Sequence, residues 1–141
     1  MLCMLALCLS IAACSSGTDA ECTQLKKAIE QDKTEDVAKL AAELYAKKSE
    51  CNIESLTQLA IAYNFLAEKE MAGANDPANL TDYIEKAIDC YSTAETLDAE
   101  ATKEAFNEAG KTDFKNALSQ LKEQLRQAQE AEQALLDQIN S

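Results

Sequence analysis

The sequence predicts an all-α protein, and three observations support that prediction. The 141 residues include only 3 Gly and 1 Pro, which leaves little turn chemistry for a sheet of many short strands. Aromatic residues make up 5%, so Leu, Ile and Ala must form most of the core, which suits packed helices. Apolar residues recur at helical spacing along most of the chain. We expect antiparallel helical hairpins that end in a long C-terminal helix.

The first pair of predicted helices covers residues 22–31 and 35–48. Thr34 is placed to cap the second of them, since a Thr hydroxyl accepts a hydrogen bond from the first free amides of a helix. The inward positions at helical spacing are Leu25, Ala28 and Ile29 in the first helix and Val37, Leu40, Ala41, Leu44 and Tyr45 in the second.

The second pair covers residues 53–70 and 77–97. The third helix has a broad apolar stripe that is typical of a central helix, because Ile61 and Phe65 widen the row that runs from Leu56 to Ala67. Asp76 and Pro77 supply a cap and a first-turn proline for the fourth helix. Its inward face is expected to contain Leu80, Ile84, Ala87, Ile88, Tyr91, Ala94 and Leu97.

The third pair is a short helix over 99–109 and a long one from about residue 113 to 140. Gly110 suits the left-handed position that ends a helix, and Thr112 can cap the last helix. Phe114, Leu118, Leu121, Leu125 and Ala128 follow one another at spacings of four and three. The second half, 124–138, is rich in Gln, Glu and Ala. We expect it to extend into solvent, and pairing with another helix is the alternative.

Two segments of the second pair resemble tetratricopeptide repeats. Leu59-Ala60-x-x-Tyr63 and Ala87-x-x-x-Tyr91-x-x-Ala94 are similar to the family's pattern, in which small residues let two helices approach and an aromatic fills the space between repeats. Gly110-Lys111-x-Asp113-Phe114-x-x-Ala117-Leu118 and Asp32-Lys33-x-Glu35-Asp36-Val37-Ala38 resemble repeat turns. The chain departs from the family in having no Trp, and a plain helical bundle is the alternative.

The repeat resemblance implies a binding surface. In the family, a concave surface lined by the first helix of each pair binds peptides or partner proteins. For this chain we expect a partner groove beside the third helix, with Leu59, Tyr63 and Tyr91 as its candidate residues.

The first 14 residues resemble the type II signal peptide of bacterial lipoproteins. Residues 1–13 are uncharged and mostly apolar, too few to span a bilayer, and end in Ile11-Ala12-Ala13 directly before Cys14. The resemblance implies cleavage before Cys14, a lipid on its sulfur, a polar tether over 14–21 and a domain over 22–141. An ordinary secretory signal or a buried N-terminal helix are the alternatives, but neither explains why the apolar run stops at a cysteine.

The charge of the chain restricts its partners. All 25 acidic and 13 basic residues follow Cys14, so the net charge of −12 lies on the mature domain. Phosphate backbones and anionic lipid headgroups attract Lys and Arg, so we expect no nucleic-acid partner and membrane attachment only through the lipid. Because Ser15 follows Cys14, as in outer-membrane lipoproteins of enterobacteria, we expect a lipid-anchored location in the bacterial cell envelope, at the outer membrane.

The cysteines that follow Cys14 are expected to be structural. Cys22 begins the first helix and Cys51 follows the second, so an antiparallel hairpin brings the two together as candidates for a disulfide. Two free thiols are the alternative. Cys90 stands beside the apolar stripe of its helix and is expected to pack as a small hydrophobe.

The sequence shows no pattern of catalytic residues. It has 0 His, which removes the commonest general base and metal ligand, and no C-x-x-C pair or glycine-rich phosphate loop. We therefore expect no enzyme activity, metal or cofactor. The predicted function is protein–protein interaction in the envelope, with an unidentified envelope protein as partner. Self-association through the C-terminal helix, giving a homo-oligomer, and inhibition of an envelope hydrolase are the alternatives.

Overall fold

A computed structural model describes residues 18–73 and 76–141. Within these ranges the regular structure is entirely helical, which confirms the predicted all-α class. The predicted signal peptide, Cys14 and most of the predicted tether lie outside the described residues. Six α-helices, separated in one place by a 3₁₀ turn over Lys48–Glu50, follow in the order α1 Asp19–Glu30, α2 Thr34–Ala46, α3 Ile53–Ala72, α4 Pro77–Leu97, α5 Ala99–Glu108 and α6 Phe114–Asn140.

Three helices begin at a side chain that caps their first turn. The Asp76 carboxylate accepts hydrogen bonds from the amides of Ala78 and Asn79 at the start of α4, as predicted. Asn52 caps α3 and Asp98 caps α5 in the same way. All three capping residues have extended backbone, which points the short side chain back at the free amides of the first turn.

The two predicted threonine caps are wrong. Thr34 is already the first helical residue of α2, and Lys33 occupies the cap position without a side-chain bond. Before α6 the cap position belongs to Asp113, not Thr112, and its ψ of 26° is not the extended value of a capping residue. In both places the cap position lies one residue away from the predicted cap, and a shift of one residue is enough to turn the hydroxyl away from the free amides.

The helices pack in the order expected of stacked hairpins. α1 contacts α2 and α3, and α3 packs along most of its length against α4. α5 then lies against both α3 and α4. Because α1 contacts α3 and α3 contacts α5, the first helices of the three pairs lie side by side.

The third pair is less tightly closed than the first two. α6 packs chiefly on α4, and its link to α5 is the ring of Phe106 stacked on Phe114 at a centroid distance of 4.7 Å. Leu121 and Leu125 of α6 pack on a small apolar cluster that Ala67, Leu80 and Ile84 form. After Leu125 the side chains of α6 are exposed.

The main core is aliphatic and centred on α3. Leu25, Leu44, Leu56 and Leu59 are completely buried in it, and each contributes about 1.5–3 kcal/mol relative to an exposed position. None of the described helices is long and apolar enough to cross a bilayer.

A groove lined by the first helix of each pair

A groove crosses the face on which α1, α3 and α5 lie side by side. It consists of two adjoining hollows of about 200 Å³ and about 230 Å³. Both are bounded by the side chains of Lys26 on α1, Gln58 on α3 and Glu108 on α5, with Ala109 just beyond α5. The three first helices therefore form one continuous concave surface.

The floor of one of the two hollows is apolar, whereas the other hollow is lined mainly by polar side chains. Ile29 and Ile61 line the apolar hollow and Ala105 the other, and Ile61 is only 8% exposed. On α3, the spacing of Glu54, Gln58 and Ile61 places them on a single helix face. This face is roughly opposite the one that carries Leu59 and Tyr63. α3 is buried around most of its circumference, and this is the face that borders the groove.

The rim of the groove carries charges that lack ion-pair partners. Among the residues that the structure describes, none of its five charged side chains forms a salt bridge. All five are exposed, and acidic groups outnumber basic ones. An apolar hollow with unpaired charges around it is the composition expected of a site that binds a polypeptide segment. The five residues are Lys26, Glu30, Glu54, Glu108 and Lys111.

The candidate groove residues from the sequence do not line this groove. Leu59 and Tyr63 have exposures of 0% and 2%, so they fill the space between α3 and its neighbours. Tyr91 is half-buried elsewhere, with its ring 5.0 Å from that of Phe106 and 6.1 Å from that of Phe114. Placing Leu59 and Tyr63 in an accessible groove was wrong, because the strongest apolar stripe of a central helix belongs to the core. The residue that could have indicated the groove from the sequence is Ile61, because it lies outside the main apolar stripe of α3.

Tyr63 belongs to an aromatic cluster between α2, α3 and α4. Its ring meets Tyr45 edge-on at 5.7 Å and lies 6.2 Å from Tyr83, with the Lys86 ammonium 5.6 Å from its centre. Its buried hydroxyl has no hydrogen-bond partner among the described residues, and burial raises the pKa of the Tyr63 phenol. This cluster joins three helices through ring contacts.

The hydroxyl of the neighbouring Tyr45 does have a hydrogen-bond partner. It donates a hydrogen bond of 2.7 Å to the Asp89 carboxylate, which also receives the ammonium of Lys48. Burial raises the pKa of Asp89, but the hydrogen bonds from Lys48 and Tyr45 together hold it below its ordinary value. The hydrogen bond between Tyr45 and Asp89 links the end of α2 to the middle of α4.

The predicted disulfide partners lie at one end of the first hairpin. Cys22 and Cys51 are both buried and both are free thiols. Two contacts join the elements that carry them: the Thr18 and Ser55 hydroxyls are 3.0 Å apart, and Lys47 pairs with Glu21 at 2.7 Å. Burial raises the pKa of Cys22 to about 11. The bridge itself stays a prediction.

A larger hollow of about 350 Å³ lies in the valley between α4 and α6, over Ile84, Ile88 and Leu125. Arg126 borders this hollow, and its guanidinium already pairs with Glu123 and Glu130. The groove across α1, α3 and α5 is the better candidate site, because three separate helix pairs contribute to it.

No protein-family profile, curated protein or solved structure matches this chain. The helix order and the residues that line the groove are therefore the two observations that support a repeat-like surface. Among the described residues, no group of three or more His, Cys, Asp or Glu is placed to hold a metal ion.

Proposed function

We propose that this protein is a binding module that holds a segment of another envelope protein in the groove across α1, α3 and α5. The observation that supports this most directly is the groove itself, with an apolar hollow and unpaired charges contributed by all three first helices. A surface assembled from several helix pairs can follow an extended segment over several residues.

The groove offers two kinds of contact to such a segment. An aliphatic side chain of the partner would rest on Ile29 and Ile61, and its burial would contribute about 1.5–3 kcal/mol. Lys26 and Lys111 would meet acidic groups of the partner, and the glutamates of the rim would meet basic ones. Exposed charges of this kind set the association rate and the register more than the affinity.

The proposal also includes the location. Cys14 would carry the lipid that holds the domain at a membrane of the bacterial envelope, the outer membrane being the expected one. The lipobox pattern over residues 1–14 supports this, and so does the acidic domain, which has no means of its own to bind anionic headgroups. That the chain is not an enzyme, and its alternative roles in self-association or in inhibiting an envelope hydrolase, stay predictions.

Site-specific cross-linking in cells tests the groove. A photo-reactive residue at Gln58, within the groove, is expected to give a discrete adduct with one envelope protein. The same residue at Lys39, on the exposed side of α2, serves as the control position. The double variant Lys26→Glu/Lys111→Glu should reduce the Gln58 adduct several-fold.

A matched variant controls for net charge. Lys39→Glu/Lys103→Glu changes the total charge equally, but neither residue borders the groove, so it should leave the adduct unchanged. Equal loss in both double variants would show a general charge effect and would count against the groove. The same adducts from a photo-reactive residue at Gln58 and at Lys39 would also count against the groove.

A further inference from the structure

The two hollows of the groove follow one another along α3. The hollow that Ile29 and Ile61 line is the apolar hollow, and the one that contains Glu54 is the polar hollow. On α3 the polar hollow begins at Glu54 and the apolar hollow reaches Ile61, and on α1 the order from Lys26 to Ile29 is the same. A segment that occupies both hollows therefore lies along α3, with α1 and α5 as the walls on either side.

The length of the groove corresponds to three residues of an extended chain. Glu54 and Ile61 are seven positions apart in the sequence, which is about 10 Å along a helix. An extended segment rises about 3.3 Å per residue, and its first and third side chains point to the same side. One side chain would therefore enter the polar hollow, and the side chain two positions away would enter the apolar hollow.

The polar hollow has an excess of negative charge. Glu54 and Glu108 both border it, and Lys26 is the one cationic side chain among the described residues that line it. Lys26 also borders the apolar hollow, so its ammonium balances at most one of the two carboxylates. At least one carboxylate of the polar hollow thus has no counter-charge from the residues around it.

The apolar hollow is balanced in charge. Ile29 of α1 and Ile61 of α3 form its floor, so an aliphatic side chain placed there contacts two helices at once. Two acidic and two basic side chains border it, and the two ammonium groups would meet acidic groups of the partner beside that aliphatic side chain. The four charged residues are Lys26, Glu30, Glu108 and Lys111.

We propose that the segment held in the groove carries a basic residue and an aliphatic residue two positions apart. Lys or Arg of the partner would enter the polar hollow beside Glu54 and Glu108, and Leu, Ile or Val would cover Ile29 and Ile61. The net charge of −12 favours a basic segment at longer range as well. This inference rests on the proposed function, because it names the kind of segment that the groove binds.

An acidic residue suits the polar hollow less well than a basic one. Its carboxylate would meet two others there and a single ammonium, so it would add to the excess of like charge. The Thr57 hydroxyl, which also lines this hollow, already donates to the Ile53 carbonyl at 2.7 Å and is not free to donate to a carboxylate of the partner.

Three nine-residue peptides test the proposal on the full-length protein in mild detergent. The first is Ser-Thr-Leu-Thr-Lys-Thr-Leu-Thr-Ser with blocked ends, in which the basic and aliphatic residues are two apart in both chain directions. The second has Glu in place of Lys, and the third has Asn in place of both Leu. Fluorescence anisotropy at low salt should show that the first peptide binds about fivefold more tightly than the second. It should bind about tenfold more tightly than the third, which lacks the aliphatic contact.

Three variants assign these differences to the two hollows. Glu54→Gln/Glu108→Gln should bring the dissociation constants of the Lys and Glu peptides within about twofold of each other. Glu43→Gln/Glu132→Gln changes the net charge equally at exposed positions that do not border the groove, and it should leave the fivefold preference intact. Ile29→Ala should weaken both Leu-containing peptides by the same factor. Circular dichroism checks that each variant is folded.

Three outcomes would overturn the proposal. Equal binding of the Lys and Glu peptides, with both weakened by Ile29→Ala, would leave the groove as a binding site without the preference for a basic residue. An equal loss of preference in the two glutamine variants would assign it to the overall charge of the chain. Binding of none of the peptides would also overturn it, and the adduct at Gln58 in cells then decides separately whether the groove is a binding site.

Discussion

Asp32 and Gly110 occupy the same backbone conformation at equivalent ends of two helices. Asp32 follows α1 with a φ of 55° and Gly110 follows α5 with a φ of 74°. In both turns the amide of the next residue, Lys33 or Lys111, donates to a carbonyl five residues back. The same kind of turn therefore joins the two helices of the first pair and the two helices of the third pair. Glycine takes the positive φ in one turn and aspartate in the other, and aspartate tolerates this region better than most residues do.

The repeated turn predicts unequal responses to substitution. Gly110→Ala should lower the free energy of unfolding by about 1 kcal/mol, because Ala is strained at positive φ, although an added Cβ would meet nothing within 4 Å. Asp32→Gly removes such strain but also an exposed ion pair with Lys69, so it should change stability by less than about 0.5 kcal/mol. Urea denaturation measures both, and equal costs would contradict the proposed equivalence.

Two tyrosines in one cluster should respond oppositely to loss of the hydroxyl. Tyr45→Phe removes a donor to Asp89 and should cost about 1 kcal/mol. Tyr63→Phe removes a buried hydroxyl that has no partner among the described residues and should be neutral or stabilise the fold by up to about 1 kcal/mol. Thermal unfolding of the two variants compares them directly. A similar loss in both would mean that the Tyr63 hydroxyl is hydrogen-bonded, for instance to a buried water.

Asp89 should make stability depend on pH in the acid range. Its carboxyl pKa is lowered in the folded protein, so its contribution is complete above its unfolded pKa of about 3.9 and is lost as the pH falls through the folded pKa. Asp89→Asn should therefore be less stable than wild type between pH 5 and 7, and the gap should close below about pH 4. The side chain is 41% exposed, so we expect a gap below about 1 kcal/mol. If the stability difference between wild type and Asp89→Asn instead grows as the pH falls, the pKa of Asp89 is not lowered in the folded protein.

The cysteine pair can be tested by alkylation. In protein taken from an oxidising compartment and unfolded without reductant, Cys90 should be labelled, and Cys22 and Cys51 should not. After reduction all three should react, with Cys90 slowest in the folded state and Cys22 also slow, because burial raises the pKa of the Cys90 thiol to about 12 and that of Cys22 to about 11. Cys22→Ser or Cys51→Ser should each cost about 3–4 kcal/mol if the bridge forms. Labelling of Cys22 without reductant would exclude the bridge.

Sequence patterns predicted the helices well because helical spacing is a local property. The start of α4 at Asp76 and Pro77, the turn at Gly110 and the long α6 all follow from residues within a few positions of each other. The same local patterns placed the caps of α2 and α6 wrongly, because a capping hydroxyl depends on the backbone angles of a single residue.

The position of the groove could not be predicted from the same patterns. α3 has apolar residues around much of its circumference, and spacing alone does not tell which side meets α4 and which meets the groove. That choice is made by distant residues, since α1 and α5 flank one side of the helix while Tyr45 and Tyr83 pack on Tyr63 at the other. The packing of α6 on α4 is set in the same way, by contacts between parts of the chain far apart in sequence.

If Cys14 carries a lipid, the hydroxyl contact between Thr18 and Ser55 would limit the distance between the folded domain and the bilayer. Thr18 is 1% exposed, so the packed structure begins only four residues after Cys14, and a lipid on that cysteine would leave a leash of at most about 14 Å. Lys26 follows about 12 Å along α1. A partner in the groove would then have to reside at the membrane surface itself, whereas the free end of α6, directed away from the start of α3, would sample the space beyond.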